Sequence, residues 1–97
     1  MNPSLPTQVE ISSEALFQEL EGETVLLNLQ SERYYGLDDV GTRMWQLLAE
    51  NGDVAAAAAQ LLKEYNVEAA QLESDLATLI GRLAEAGLLT ITAPAGS

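Results

Sequence analysis

The sequence predicts an α+β domain in which a small antiparallel sheet comes first and a bundle of three helices follows. Short apolar runs separated by turn residues fill the first third of the chain, and apolar residues at helical spacing fill the rest. With 97 residues and 47% hydrophobic content, the chain can build one core but hardly two. We therefore predict one domain over residues 1–92 and a disordered tail over residues 93–97.

Apolar runs at four places in the first third predict β-structure. They cover residues 7–11, 15–20, 25–29 and 33–37. The segment Glu21-Gly22-Glu23 supplies a glycine turn between the second and third runs, and Ser31-Glu32 leads into the last one. Together the runs indicate a small antiparallel meander, a three-stranded sheet whose last strand is 33–37.

From residue 38 onward the apolar spacing becomes helical. Asp38 or Asp39 can cap the first helix, and Asn51-Gly52 ends it. Trp45 lies beside the apolar stripe and is predicted to be a core aromatic. The stripe itself consists of Val40, Met44, Leu47 and Leu48. Asp53 caps a second, alanine-rich helix, which breaks at residues 66–68.

The third helix is predicted over about residues 69–86, with Gly87 placed to cap its end. Its apolar face consists of Leu72, Leu76, Leu79 and Leu83. At about 100° per residue, one flank of that face is polar. This flank consists of Gln71, Asp75, Thr78 and Arg82. A flank of this kind is either an ordinary solvated surface or the wall of a groove, and periodicity leaves both interpretations open.

Composition excludes several classes of chemistry. The chain has no cysteine and no histidine, which argues against disulfides, thiolate catalysis, the usual zinc sites and the commonest general base. Asp38 and Asp39 form a carboxylate pair, but their place at a helix start is explained by capping and by the helix dipole. We predict no catalytic residue, no metal and no cofactor.

Charge and hydropathy limit the partners. The net charge is -11, and the four cations, Arg33, Arg43, Lys63 and Arg82, are scattered along the chain. Nucleic acid is therefore an unfavourable partner, since duplex binding rests on clustered Lys and Arg. The N-terminus lacks a basic patch followed by an apolar run, and no apolar segment is long enough to span a bilayer. The sequence predicts a soluble, cytoplasmic protein without a membrane partner.

The strand predicted over residues 33–37 carries two tyrosines and a glycine. Tyr34 and Tyr35 should point to opposite faces, so that one packs in the core with Leu37 and the other faces outward. An outward tyrosine beside Gly36 leaves backbone accessible, as the addition of a partner strand requires. Alternatively, Gly36 only relieves a strand end, and the sequence does not distinguish the two.

Three stretches of the sequence, taken in their order along the chain, carry a resemblance to a known family. They are VLLNLQSERYYGLDDVGTRMWQLL, DVAAAAAQLLKEYNV and ESDLATLIGRLAEAGLL. Over residues 7–91 the chain resembles the PqqD-like family, the small leader-peptide recognition domains of pathways that modify ribosomally made peptides. The form of the first block is more similar to the stand-alone recognition proteins of lasso-peptide clusters than to the pyrroloquinoline quinone member. One departure is the turn at Ser31-Glu32, where the family often carries glycine.

The resemblance implies a winged-helix-like fold that performs no chemistry itself. It implies that a precursor's leader binds as an extra strand beside strand 33–37, in a groove whose other wall is the third helix. The bound leader would then pass to a modifying enzyme, such as a leader protease or a radical SAM enzyme. The peptide-binding residues implied are Tyr34, Tyr35, Gly36, Leu37, Gln71, Asp75, Thr78, Leu79 and Arg82.

Two other functions are compatible with strands followed by three helices. A winged-helix DNA-binding regulator would need several cations on its recognition helix, whereas the third helix offers only Arg82 among its acids. An acidic carrier protein would need a serine at a helix start to hold a phosphopantetheine arm. Ser74 lies within a helix and lacks that setting. Peptide binding is the leading hypothesis, and the DNA-binding regulator is the alternative.

Overall fold

The computed structural model describes residues 5–93 and confirms the α+β architecture. In chain order the elements are β1 (Gln8–Ile11), β2 (Ala15–Leu20), β3 (Glu23–Asn28), β4 (Arg33–Leu37), α1 (Asp39–Asn51), α2 (Val54–Glu64), α3 (Ala69–Glu85) and β5 (Leu89–Ala93). The strands β2, β3 and β4 form one antiparallel sheet in that order. The predicted three-stranded sheet followed by three helices is therefore present.

Two tight connections set the register of this sheet. Glu21 and Gly22 join β2 to β3 with φ values of 52° and 84°, the two positive values of a type I′ turn, whose twist suits a two-residue hairpin. Residues 29–32 join β3 to β4, and Glu32 has a φ of 62° there. Glu32 thus adopts the left-handed conformation that glycine favours, at the turn where the family often carries glycine.

The strand at residues 7–11 does not belong to the meander, contrary to the sequence-based expectation. It is β1, and it pairs antiparallel with β5 in a separate two-stranded sheet. Ile11 lies opposite Leu89, so the pairing joins segments from opposite ends of the chain. Local sequence patterns do not reveal a partner that is so distant in sequence. Ala93, which we predicted to begin the tail, is the last residue of β5. Residues 94–97 lie outside the described residues.

The starts of α1 and α2 and the end of α1 follow the predicted capping residues. The Asp38 Oδ1 accepts a hydrogen bond of 2.8 Å from the Gly41 N–H, and the Asp53 Oδ1 accepts one of 3.0 Å from Ala56. Gly52 closes α1 with a φ of 75°, and a Cβ at this position would collide with the carbonyl oxygen of Val9. Glycine is therefore required at position 52 for two reasons.

The helices cover one face of the three-stranded sheet and bury a single apolar core. Trp45 lies in it with 1% of its surface exposed, as predicted, and its ring makes an edge-to-face contact with the Phe17 ring at a centroid distance of 5.8 Å. The largest buried side chains besides Trp45 are Leu26, Leu48, Leu61, Leu76, Ile80, Leu83 and Leu88. The core thus draws on β3, on all three helices and on the segment that leads into β5.

Asn28, at the end of β3, joins the sheet to the end of α3. Its side chain is buried, with 6% exposed, and its Nδ2 donates a hydrogen bond of 2.7 Å to the carbonyl oxygen of Ala86. Its Oδ1 accepts from the N–H groups of Gln30 and Ser31 at 2.9 and 3.2 Å. One amide therefore shapes the β3–β4 turn and also satisfies a carbonyl at the helix end.

We predict that Asn28→Ala lowers the free energy of unfolding by about 1–3 kcal/mol, because it leaves buried polar groups unpaired at both elements. Denaturant unfolding followed by circular dichroism measures the change. Gln30→Ala is the matched control on the same turn, since it keeps the backbone N–H that Asn28 accepts from. Equal stability of the two variants would contradict this role for Asn28.

An ion pair joins α1 to α2. The guanidinium of Arg43 donates to both carboxylate oxygens of Glu64, at 2.8 and 2.7 Å. This hydrogen bonding, with a further one from Gln60, lowers the pKa of Glu64 from 4.5 to about 2. A depressed pKa means that the pair contributes stability above pH 4.5, and that this contribution is lost as the pH falls through about 2.

We predict that Glu64→Gln flattens the acid side of the stability profile. Between pH 4.5 and pH 2 the wild type should lose stability more steeply than the variant, because only the wild type must protonate a paired carboxylate. Thermal melts across that range measure the difference. The control is Glu73→Gln, which removes one charge at an exposed position of α3 and leaves the Arg43–Glu64 pair intact. Its stability should fall with pH as steeply as that of the wild type.

Candidate functional site

A groove of about 560 Å³ lies between the free edge of β4 and one flank of α3. Seven of the nine residues predicted for the site line it: Tyr35, Gly36, Leu37, Asp75, Thr78, Leu79 and Arg82. The structure therefore brings together two segments that are some forty residues apart in sequence.

A second depression, of about 590 Å³, continues the groove toward the end of α3. Tyr35 and Arg82 line both cavities, so the two lie next to each other along β4. Tyr34, an eighth predicted residue, lines this second part. Gln71 lines neither cavity, and its Nε2 instead donates a hydrogen bond of 2.9 Å to the Asp75 Oδ1, which orients that carboxylate.

The register of the sheet decides which backbone groups of β4 face the groove. The Leu29 N–H donates to the Glu14 carbonyl on the β2 side of β3, and the Asn28 carbonyl accepts from Glu32 on the β4 side. Successive residues of a strand aim their polar groups to alternate sides. The even-numbered residues of β3 therefore bond to β4.

The even-numbered residues of β3 each pair with one residue of β4. Thr24 lies opposite Leu37, Leu26 opposite Tyr35, and Asn28 opposite Arg33. It follows that Tyr34 and Gly36 direct their N–H and C=O groups to the other side, at the free edge of the sheet. These two residues offer the groove two backbone donors and two backbone acceptors.

The side chains of β4 alternate as the sequence predicts. Tyr34 is exposed over 73% of its surface, whereas Tyr35 packs against the core beside the buried Leu37. A Cβ at Gly36 would meet no atom within 4 Å, so close packing does not explain glycine there.

One residue of α3 lies elsewhere than its apolar pattern predicts. Ile80, not Leu79, belongs to the core, with 1% of its surface exposed. Leu79 is half-buried and lines the groove with Thr78. The two positions are about 100° apart on the helix, so a small rotation of the helix against the sheet decides which of them is enclosed. Leu79 thus supplies apolar surface to the site instead of to the centre of the core.

The floor of the groove comes from α1, which the sequence analysis did not include in the site. Val40, Gly41 and Met44 line it. A Cβ at Gly41 would lie 3.4 Å from the Leu37 Cβ and 3.2 Å from the Asp38 Oδ1, so α1 begins close against the end of β4. A glycine one turn into a helix was the available signal, because glycine there costs about 1 kcal/mol and close packing against another element can offset that cost.

The wall of the groove that α3 forms carries one acidic and one basic side chain. Asp75 and Arg82 are two turns apart, about 10.5 Å along the helix axis. Between them the Thr78 Oγ1 donates to the Ser74 carbonyl oxygen at 3.0 Å. Among residues 5–93 no hydrogen bond or ion pair engages the Arg82 guanidinium. The groove therefore combines free backbone groups, an apolar floor and one charge of each sign, which suits an extended peptide better than a polyanion.

Neither a metal nor a membrane is indicated by the described part of the chain. Residues 5–93 contain no cluster of three or more acidic side chains placed to hold a metal ion. Across the same residues, no helix has the length and apolar character needed to cross a bilayer.

Comparison with known proteins points to one family. The sequence pattern described as Coenzyme PQQ synthesis protein D (PqqD) matches residues 23–89. A structure of TbiB1 in complex with the TbiA(beta) leader peptide is 36% identical, with a TM-score of 0.79, covering 82% of this chain and 93% of that one. A lasso peptide synthetase B1 complexed with the leader peptide is 29% identical, with a TM-score of 0.76, covering 84% and 96%. Curated protein sequences gave no significant match.

Proposed function

Because the chain belongs to the PqqD family, we propose that it binds the leader of a ribosomally made precursor peptide and presents it to a peptide-modifying enzyme. The observation that carries the proposal is the free edge of β4 facing α3 across an open groove. Both similar structures are complexes with a leader peptide, and the resemblance to them favours a lasso-peptide type of pathway.

On this proposal the leader adds to the sheet as a strand beside β4. Tyr34 and Gly36 supply the backbone hydrogen bonds, which give affinity with little dependence on sequence. Alternate side chains of the leader then contact the α3 wall and the floor formed by α1, which provide selectivity. The α3 residues that we assign to this role are Asp75, Thr78, Leu79 and Arg82, with Gln71 orienting Asp75.

The protein acts without chemistry of its own. The chain has no cysteine or histidine, and the carboxylate of Asp38 at the groove is engaged as a helix cap. We place it in the cytoplasm, where precursor peptides are synthesised, with a leader protease or a radical SAM enzyme as the receiving partner. The DNA-binding alternative is not supported by α3, whose one cation, Arg82, stands among Glu73, Asp75 and Glu85.

We predict that proline substitutions at the two tyrosines differ in kind. Tyr34→Pro removes an N–H from the free edge, so the protein should stay folded and bind the leader roughly tenfold or more weakly. Tyr35→Pro removes an N–H that bonds to β3 opposite Leu26, and it should unfold the sheet. Circular dichroism measures folding, and calorimetry with the leader encoded beside this protein measures affinity.

The control for this pair is Tyr34→Ala, which keeps the N–H and removes only the ring. It should bind the leader more tightly than Tyr34→Pro does. If Tyr34→Pro is folded and binds as well as the wild type, strand addition at β4 is wrong.

We also predict that Asp75→Ala and Arg82→Ala each weaken leader binding about five- to tenfold while leaving stability unchanged, because both side chains are exposed on the groove wall. Leu76→Ala, one residue from Asp75 but fully buried, should instead lower the free energy of unfolding by about 2–5 kcal/mol. Calorimetry and denaturant unfolding separate the two effects. Normal affinity in both charge variants would place the binding surface elsewhere.

A further inference from the structure

The three-stranded sheet has a second face, turned away from the helices, that is apolar. The register places five apolar residues on this outer face: Leu16, Leu20, Val25, Leu27 and Tyr34. The exposed fractions of Leu16, Leu20 and Val25 are 52%, 56% and 41%. A depression of about 320 Å³ lies among them, lined also by Tyr34. Within residues 5–93 no element packs over the outer face.

Such a face is unusual for a sheet that borders water. Antiparallel sheets with one solvated side normally place polar residues on that side, and contiguous apolar patches on a protein surface mark interaction sites. On the outer face the polar residues are Gln18 on β2 and Glu23 on β3. The core does not need these apolar side chains, since Leu26 and Leu37 fill the opposite face. Contact with another molecule is the physical explanation for them.

The charges around the outer face indicate what kind of molecule covers it. Four exposed acidic residues stand at the ends of the strands that form the outer face and make an acidic border there: Glu14, Glu21, Glu23 and Glu32. A second copy would bring an identical acidic border against this one, in a chain whose net charge is already -11. A partner with an apolar patch bordered by Lys and Arg would be attracted instead.

The outer face is continuous with the leader groove. Tyr34 belongs to both, because its backbone groups face the free edge and its side chain stands on the outer face. A leader strand beside β4 would widen the sheet by one strand and project every second side chain onto the same face. A protein docked there would touch the recognition domain and the leader together.

We propose that the outer face of the β2–β3–β4 sheet is the docking surface for the peptide-modifying enzyme, and that the bound leader completes it. The enzyme's matching surface is apolar at its centre and basic at its border. This inference rests on the proposed function, since it takes the leader to lie beside β4. Association should be tighter with leader present and should weaken as salt rises.

The test uses Leu16→Thr/Val25→Thr, which reduces the apolar surface and keeps residues suited to strands. Its matched control is Leu62→Thr/Val67→Thr, two exposed apolar residues on and after α2, away from the sheet. The probes are the leader peptide and the purified modifying enzyme encoded beside this protein, each titrated by calorimetry. The outer-face variant should bind the leader normally and the enzyme roughly tenfold or more weakly. The control should match the wild type in both titrations.

The two proposals fail in different ways. A wild type that does not bind the leader contradicts the proposed function. A wild type that binds the leader but not the enzyme, or an outer-face variant that binds the enzyme normally, overturns the docking surface alone. Sedimentation adds a further outcome: a wild-type dimer that becomes a monomer in the outer-face variant would assign the face to a second copy and overturn the proposal.

Discussion

The side chain of Asn28 holds the two walls of the groove together at one end. It is buried, and it bonds both to the β3–β4 turn and to the carbonyl oxygen of Ala86, the residue that caps α3. Gly87 is part of the same contact, since a Cβ there would lie 2.7 Å from the Asn28 Nδ2. At the other end, Gly41 lets α1 begin against Leu37. The edge of β4 is thereby fixed relative to α3 from the two ends of the groove, which leaves the groove open.

A strand offers a partner two kinds of surface, and this protein leaves both available on β4. The edge presents backbone hydrogen-bonding groups in the plane of the sheet, and the face presents side chains perpendicular to it. A peptide that takes the edge and a protein that covers the face do not compete for the same atoms. Tyr34 shows the separation within one residue, since its N–H and C=O point along the sheet and its ring points out of it. Leader recognition and delivery to an enzyme can therefore occur on one small domain at the same time.

The acidic surface affects the two partners differently. The leader groove has one charge of each sign on α3, Asp75 and Arg82, so its selectivity depends on shape and local pairing more than on net charge. The outer face has an acidic border and an apolar centre, which favours a basic partner and disfavours self-association. The exposed edge and the apolar face would otherwise be a risk for aggregation, and the net charge of -11 opposes it.

The sequence by itself determined the elements whose signals are local. Asp38, Asp53 and Gly52 mark helix ends because a cap is a contact between near neighbours in the chain, and helical and strand periods predicted the α+β class. The pairing of β1 with β5 was decided only by the tertiary structure, because the partner strand lies at the other end of the chain. The choice between Leu79 and Ile80 for the core depends in the same way on the rotation of α3 against the sheet. The tertiary structure also decided which backbone groups of β4 are free, because the side to which a residue directs its N–H and C=O depends on how the strands pair and not on the residue itself.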